Sequence, residues 1–173
     1  MKFHPTDFKG LYIVDFDRFE DQRGVMIKPW INSDLNKIFG SNMETYLSSS
    51  HKGAMRGLHY QKGSSAQKKF VTCISGRIED VAVDMRRESS TYGCIFNFTL
   101  NALDGRGVII PKGFAHGVYA YKDSLFANIS DHVYIPENEG GILWSSIPLL
   151  RDFPVTIVSE KDSKLPSLEE VIL

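Results

Sequence analysis

The stretch KFVTCISGRIEDVAVDM, residues 69–85, decides the fold class of this sequence. It contains two runs rich in valine, isoleucine and phenylalanine, over residues 69–76 and 77–85. In the second run, large apolar side chains alternate with smaller or acidic ones, namely Val81, Val83 and Met85 with Asp80, Ala82 and Asp84. Because successive side chains of a strand point to opposite faces, this period of two indicates β-strands. The stretch therefore predicts two strands in succession.

Similar β-like runs occur on both sides of this stretch and are separated by short turn-forming clusters. They cover residues 10–16, 46–50, 92–100, 106–110, 116–121 and 125–134. Many short strands with few helices predict a mainly β sandwich or barrel. The clearest helix is predicted over residues 34–39, with Ser33 as N-cap and Gly40 as its stop. A short helix is also expected near the C-terminus.

Composition restricts the class of protein. The length of 173 residues with 42% hydrophobic content suits one domain, residues 1–173, with a proper core. Twenty Lys and Arg against 21 Asp and Glu give no overall electrostatic case for nucleic acid or a membrane surface. Cys73 and Cys94 lack metal-site spacing and are expected to be buried, reduced thiols. With no apolar run of membrane-spanning length and no hydrophobic signal core, a cytoplasmic protein is predicted.

The segment RGLHYQ, residues 56–61, places a fixed cation, a titratable base and an amide close together. Strict strand alternation would put Arg56 on one face and both His59 and Gln61 on the other. An imidazole can exchange protons near neutral pH, so His59 is a candidate general base. The segment is therefore interpreted as one wall of an active site.

A second segment, GVIIPKGFAH at residues 107–116, resembles the second sequence motif of the cupin superfamily of small β-barrels. A metal-binding cupin would also supply a His-x-His pair and a nearby carboxylate from its first motif. Here only His59 is present, and the next acidic residue downstream is Glu79. The sequence therefore predicts a site without a metal.

Seven segments together resemble the dTDP-4-dehydrorhamnose 3,5-epimerase family, in the right order and over nearly the whole chain. They are residues 21–24, 56–61, 66–69, 80–84, 111–117, 139–144 and 159–162. The resemblance implies a cupin-type jelly-roll β-barrel or sandwich that needs no metal or other cofactor and is usually a homodimer. It also implies a nucleotide-sugar substrate, with inversion of centres beside the ketone of a nucleotide-linked 4-keto-6-deoxy sugar.

The resemblance assigns roles residue by residue. His59 takes the position of the catalytic base, Asp162 that of the carboxylate that orients it, and Lys69 that of the lysine near the sugar ketone. Removal of a proton beside a ketone needs a placed base and stabilisation of the enolate oxygen, and these residue types can supply both.

Further residues match positions that bind the substrate. Arg23 and Arg56 fit the diphosphate, which favours forked, charge-assisted hydrogen bonds. His116 falls at the family's second active-site histidine, and Tyr134 matches an aromatic residue near the nucleotide base. Gln61 is expected to face the cavity beside His59.

The family pattern breaks where it carries a tyrosine acting as general acid, because Asn128 stands there. An amide cannot release a proton at accessible pH, so the sequence favours inversion of C3 alone. Tyr119 and Tyr121 are close in sequence, but alternation puts them on the face opposite His116 unless a bulge at Gly117 shifts the register. Residues 26–28 and Tyr46 also depart from the family's aromatic, acidic and amide residues near the nucleotide.

Structural interpretations compete with these roles. Residues 159–162 equally form a near capping box that opens a short helix, and His116 could be a buried histidine satisfied by backbone. Lys68 and Lys69 could be strand-edge lysines that discourage aggregation, and Arg23 could lie in a plain surface turn.

Three other functions compete with the epimerase. The first is a sugar-nucleotide 3,4-keto-isomerase of related architecture, and the second is a non-catalytic sugar-nucleotide-binding protein, which Asn128 favours. The third is a metal-dependent cupin dioxygenase. The joint presence of His59, Lys69 and Asp162 ranks the epimerase above all three.

Overall fold

The computed structural model of the chain describes residues 1–29, 32–40 and 44–172. Within them, the β-strands are β1 Lys2–Pro5, β2 Tyr12–Asp15, β3 Asp17–Asp21, β4 Gly24–Lys28, β5 Glu44–Ser50, β6 Ala54–Gln61, β7 Lys69–Ser75, β8 Arg77–Asp84, β9 Ile95–Asn101, β10 Arg106–Ile110, β11 Phe114–Ala120, β12 Ser124–Ser130, β13 Glu139–Gly141 and β14 Ile157–Val158. The α-helices are α1 Asn32–Phe39, α2 Glu160–Ser163 and α3 Leu168–Ile172. Short 3-10 turns cover Gly63–Ser65, Pro136–Asn138, Trp144–Ser146 and Pro148–Leu150.

Most of these strands form two large sheets. The first sheet has the order β1-β2-β10-β7-β12-β5, and the second has the order β13-β6-β11-β8-β9 with β14 running parallel to β6. Strands β3 and β4 form a separate antiparallel hairpin. The predicted class, a mainly β cupin-type jelly-roll sandwich with a few short helices, is confirmed.

An apolar core fills the space between the two sheets. Val71 of β7 and Ile78 and Ala82 of β8 belong to one buried cluster, whereas Val81 and Val83 of β8 pack in a different one. Side chains of β8 therefore alternate between two buried environments. This explains why the run around Val81 is almost continuously buried although its sequence alternates.

The two strands predicted from residues 69–85 are confirmed as β7 and β8. The run at 92–100 begins as a strand only at Ile95, and the run at 125–134 ends as a strand at Ser130. Sequence analysis missed β1, β3, β4, β13 and β14. The residues of β1 and β3 are all exposed, so these two strands carry no apolar alternation to detect.

Two local predictions are wrong and two are confirmed. Helix α1 begins at Asn32, so Ser33 lies inside the helix rather than before it. Gly40 does end the helix, with φ of 78°, and its N–H donates to the carbonyl of Asn36. Cys73 is buried as expected, but Cys94 is exposed, because it lies in the turn before β9 rather than within a strand. None of the described helices is long and apolar enough to cross a membrane.

Candidate active site

Strand β6 carries one extra residue relative to its neighbour β11. His59 pairs with His116, but Arg56 pairs with Val118, so three steps along β6 match two steps along β11. An extra residue shifts every following side chain to the other face. Arg56 and His59 consequently line the same cavity. The expectation that strict alternation separates them is therefore wrong.

Two adjoining cavities open between the sheets at this end of the sandwich, with volumes of about 330 and 490 Å³. The smaller one is also lined by Gln61 and Tyr134, and the larger one by Arg56, Asp162, His116 and Asn128. Three residues line both cavities: Tyr46, His59 and Lys69. His59, the predicted base, and Lys69, the predicted cation, therefore both lie at the junction of the two cavities.

His59 is held by a buried carboxylate. Its Nε2 lies 2.8 Å from Oδ1 of Asp162, and the other carboxylate oxygen accepts the backbone N–H of Gly57 at 2.9 Å. Asp162 is only 5% exposed. Burial alone would raise the pKa of Asp162, but the hydrogen bonds from His59 and Gly57 outweigh it and lower that pKa. Asp162 is therefore an anion at neutral pH.

The ionised carboxylate also decides which imidazole nitrogen carries the proton. A carboxylate can only accept, so Nε2 of His59 must donate to Asp162. In neutral His59, this leaves a lone pair on Nδ1, with Oε1 of Glu139 at 3.9 Å. Glu139 is in turn paired with the ammonium of Lys161. His59 thus presents a positioned proton acceptor.

Both interpretations of residues 159–162 hold in the structure. The side chain of Ser159 accepts the N–H of Asp162 at 3.0 Å and caps α2. The same short helix carries the Asp162 side chain to His59. The capping motif is therefore what positions the carboxylate.

His116 has a buried carboxylate partner of its own. Its Nε2 lies 2.8 Å from Oδ2 of Asp80, which is 0% exposed, whereas Oδ1 of Asp80 has no partner among the described residues. The alternative that backbone groups satisfy His116 is not what the structure shows. The pair instead places a buried acidic group behind the wall of the larger cavity.

Lys69 is a desolvated cation. Burial lowers the pKa of Lys69, and the nearby charges of Glu139, Asp80 and Glu44 oppose that shift. Its ammonium makes no hydrogen bond or ion pair to any residue that the structure describes. An oxygen that gains negative charge in the cavity would therefore meet an unpaired cation.

Arg56 and Gln61 are both fixed by neighbouring groups. The guanidinium of Arg56 donates to Oγ of Ser50 at 2.7 Å and to the carbonyl of Ser49 at 2.6 Å. The carbonyl oxygen of Gln61 accepts the N–H of Ile135, while its Nε2 is buried without a partner in the described part of the chain. Each side chain thus keeps donors for a bound molecule.

The remaining predicted residues differ in where they lie. Tyr134 is in the loop after β12 and lines the smaller cavity, and Asn128 faces the larger one. Arg23 lies at the β3–β4 turn, lines neither cavity of its own chain, and pairs with Asp21 at 2.7 Å. Its side chain is 84% exposed. The structure therefore brings together every predicted site residue except Arg23.

Sequence reasoning assigned no role to three residues that the structure places at the site, namely Asp80, Glu139 and Tyr46. For Asp80 a signal was present, because a carboxylate within an apolar strand is rarely buried unless it is paired. For Tyr46 and Glu139 the decisive fact is a neighbour on an adjacent strand, which a single sequence does not show. In residues 1–29, 32–40 and 44–172, no group of three or more His, Cys, Asp or Glu is placed to hold a metal. The metal-free site stays a prediction.

Comparison with known proteins identifies one family. The sequence model of the dTDP-4-dehydrorhamnose 3,5-epimerase family matches residues 5–170. The chain belongs to this family. The fold, the family and the enzyme class predicted from sequence, an isomerase of the epimerase type, are thereby confirmed.

Relatives within the epimerase family cover almost the whole chain. The dTDP-4-dehydrorhamnose 3,5-epimerase of Escherichia coli is 36% identical over 96% of this chain and 94% of that protein. The crystal structure of the enzyme of the same name from Elizabethkingia anophelis has a TM-score of 0.87 at 34% identity, and the match covers 98% of this chain and 97% of that one. The dTDP-4-dehydrorhamnose 3-epimerase of Streptomyces niveus is 30% identical over 98% of this chain and 85% of that protein.

Proposed function

We propose that this chain, as a single catalytic domain, epimerises a nucleoside-diphosphate 4-keto-6-deoxy sugar similar to dTDP-4-dehydro-6-deoxyglucose. The reaction removes a proton at C3 and/or C5, beside the ketone. The observation that carries the proposal is the hydrogen bond of 2.8 Å between Asp162 and Nε2 of His59, which leaves Nδ1 as a base at the junction of the two cavities.

The proposed reaction uses His59 from one sheet and Lys69 from the other, on opposite walls of the cavities. Nδ1 of His59 takes the proton from carbon, and the electrons of the broken C–H bond move onto the ketone oxygen. Asp162 stabilises the resulting imidazolium, as a carboxylate does for a histidine base. Lys69, on the opposite sheet, stabilises the enolate oxygen, because its ammonium is desolvated and has no ion-pair partner in the part of the chain that the structure describes.

The nucleotide part of the substrate is proposed to extend along both cavities. Arg56 binds the diphosphate with its remaining donors, and Tyr134 packs on the nucleotide base. Gln61 offers its unpartnered Nε2 to an acceptor in the smaller cavity, and His116 and Asn128 contact the sugar in the larger one. The substrate in this proposal is supported by the names of two relatives, a dTDP-4-dehydrorhamnose 3,5-epimerase and a dTDP-4-dehydrorhamnose 3-epimerase.

Within this proposal, C3 is the centre that we expect to be inverted. Asn128 stands where the family carries its proton-donating tyrosine, and a related protein is named a 3-epimerase. Inversion of C5 as well requires another side chain to deliver the proton.

The deciding experiment is proton NMR of dTDP-4-keto-6-deoxyglucose with the protein in deuterated water. The wild type is expected to replace protons by deuterium at C3, or at C3 and C5. His59→Asn should lower the exchange rate by about 10²–10⁴, because a positioned base contributes about that much. His51→Asn is the matched control, since His51 is exposed and lines neither cavity.

Each competing function has its own outcome in this experiment. Movement of the carbonyl to a neighbouring carbon would identify a 3,4-keto-isomerase. Saturable binding without exchange would identify a non-catalytic binding protein. Unchanged exchange in a folded His59→Asn variant would contradict the base assignment.

A homodimer and a cytoplasmic location are further parts of the proposal. The β3–β4 hairpin exposes Phe19 and Met26, which are 51% and 54% accessible, and this supports a covering partner. Arg23 lies at the tip of the same hairpin. In the proposed dimer, its guanidinium extends toward the second copy of the chain. Light scattering on the purified protein tests the dimer directly.

A further inference from the structure

Asn128 leaves the proposed reaction without a proton donor, and the two tyrosines closest to it in sequence do not supply one. The hydroxyl of Tyr119 donates to the carbonyl of Pro154, and that of Tyr121 to Glu79. Both rings pack in the cluster on the far side of the second sheet and line neither cavity. The expectation that alternation directs them away from the site agrees with these contacts.

We propose that Tyr46 is the proton donor, on the wall opposite His59. This inference rests on the proposed function and adds the second proton-transfer group to it. Tyr46 and Asn128 are direct cross-strand partners on β5 and β12. Partners of this kind point to the same face with Cβ atoms about 5 Å apart. The phenol is therefore displaced by one strand within the same wall.

The two departures from the family pattern occupy one place in the structure. Tyr46 and Asn128, the two departures from the family resemblance, stand 82 positions apart along the chain (128 − 46). The register shows that they are neighbours. The position without a phenol, Asn128, therefore lies directly beside a position that has one, Tyr46.

The position of Tyr46 suits inversion. Tyr46 lies on the first sheet and His59 on the second, and both line both cavities together with Lys69. Inverting a carbon requires removal of a proton from one side and delivery from the other, so the two groups must face each other across the substrate. The hydroxyl of Tyr46 makes no hydrogen bond to the residues that the structure describes, so it is available to substrate.

The local electrostatics keep the phenol protonated. Tyr46 is 39% exposed, where it lines the cavity, and the surrounding protein shields the rest of it from bulk water. This desolvation, with the charge of Glu44 acting in the same direction, raises the pKa of Tyr46 to about 12. At neutral pH the group carries a proton that it can give.

Nδ1 of His59 takes the proton from carbon, and the electrons of that bond form the enolate held by Lys69. The enolate carbon then takes the proton of the Tyr46 hydroxyl on its other side, which restores the ketone and leaves a phenolate. Tyr46 regains a proton from water, and His59 releases one to water.

The test separates removal of a proton from inversion. Wild type and Tyr46→Phe are incubated with dTDP-4-keto-6-deoxyglucose in deuterated water, and both deuterium uptake and the configuration of the product are followed by NMR. Tyr46→Phe should invert about 10²–10⁴-fold more slowly, yet still exchange protons with retained configuration through His59. Tyr12→Phe is the control, because Tyr12 lies in the same sheet and lines neither cavity.

A double variant distinguishes chemistry from a structural role of the ring. Tyr46→Phe combined with Asn128→Tyr returns the phenol to the neighbouring strand and should restore inversion, which a purely structural defect would not allow. Inversion by Tyr46→Phe at the wild-type rate would overturn the inference, and so would loss of both exchange and inversion in a folded variant. A wild type that neither exchanges nor inverts would instead contradict the proposed function itself.

Discussion

Asp162 shows how one side chain can serve folding and chemistry together. Its backbone N–H is capped by Ser159, and its carboxylate holds both the Gly57 N–H and Nε2 of His59. Each bond fixes the position of the next, so the imidazole is oriented by a chain of contacts rather than by one. The geometry of the base therefore depends on a helix of only four residues.

At this scale we predict the effect of Asp162→Asn. If the amide oxygen keeps the Gly57 N–H, the amide NH₂ faces His59, and Nε2 must then become an acceptor. The proton moves to Nδ1 and the base is lost, so the proton-exchange rate should fall by about 10³–10⁴ with little change in KM. Steady-state NMR assays measure both quantities.

The matched control is Glu160→Gln, on the same helix. Glu160 is exposed, and among the described residues its carboxylate pairs only with Lys164, so this change should leave the exchange rate within about twofold of the wild type. Equal losses in both variants would show that the helix, not the carboxylate, sets the rate.

Residue types at the site were largely predictable, but their partners were not. His59, Lys69 and Asp162 stand out because the proposed chemistry needs a base, a cation and a carboxylate. Asp80 and Tyr46 act through neighbours on other strands, and those neighbours follow from sheet register alone. Register is fixed by packing of the whole sandwich, which no local pattern of residues reveals.

At the scale of a single element, β6 controls the site through its extra residue. Gly57 has φ of +96°, and a Cβ there would lie 2.7 Å from the carbonyl oxygen of His116. The extra residue of β6 at this point places Arg56 in the same cavity as His59. The sequence of residues 56–61 does not predict this extra residue, because a glycine in a strand is compatible with regular pairing as well as with a bulge.

Gly57→Ala is expected to be strongly destabilising. Left-handed backbone costs a residue with a Cβ about 1–2 kcal/mol, and the clash with β11 adds about 1–3 kcal/mol of overpacking. Gly63→Ala is the comparison, since Gly63 also has positive φ but a Cβ there meets nothing within 4 Å. Urea unfolding should show a loss of about 1–2 kcal/mol for Gly63→Ala and clearly more for Gly57→Ala. Equal losses would mean that the backbone of β11 yields at no cost.

At the scale of the whole molecule, stability in acid depends on buried carboxylates. Asp84 is fully buried and accepts hydrogen bonds from Arg86, Ser89 and Thr91. Burial alone would raise the pKa of Asp84, but these bonds outweigh it and lower that pKa. A pKa that is lower in the folded state stabilises the fold above the unfolded value of 3.8, and that contribution is lost as pH falls below it.

Asp84→Asn should therefore cost about 3 kcal/mol at pH 7, because it leaves Arg86 without its anionic partner. The difference from the wild type should shrink as the pH is lowered from about 4 to 2, because the unfolded wild-type chain then takes up a proton at Asp84 that the folded chain does not. Denaturant unfolding across this range measures it, with Asp7→Asn as the control, because Asp7 is exposed. A gap that stays constant with pH would show that the charge of Asp84 does not contribute.

The turn before β9 gives the protein a practical property. Of its two cysteines, only Cys94 is exposed, whereas Cys73 is buried and its thiol has a pKa raised to about 11, chiefly by burial. Thiol reagents attack the thiolate of an accessible cysteine, so they select Cys94. Cys94 also lines neither cavity. The natural chain thus offers a unique attachment point for a fluorophore or a solid support, with no engineered residue and with the reaction centre left open.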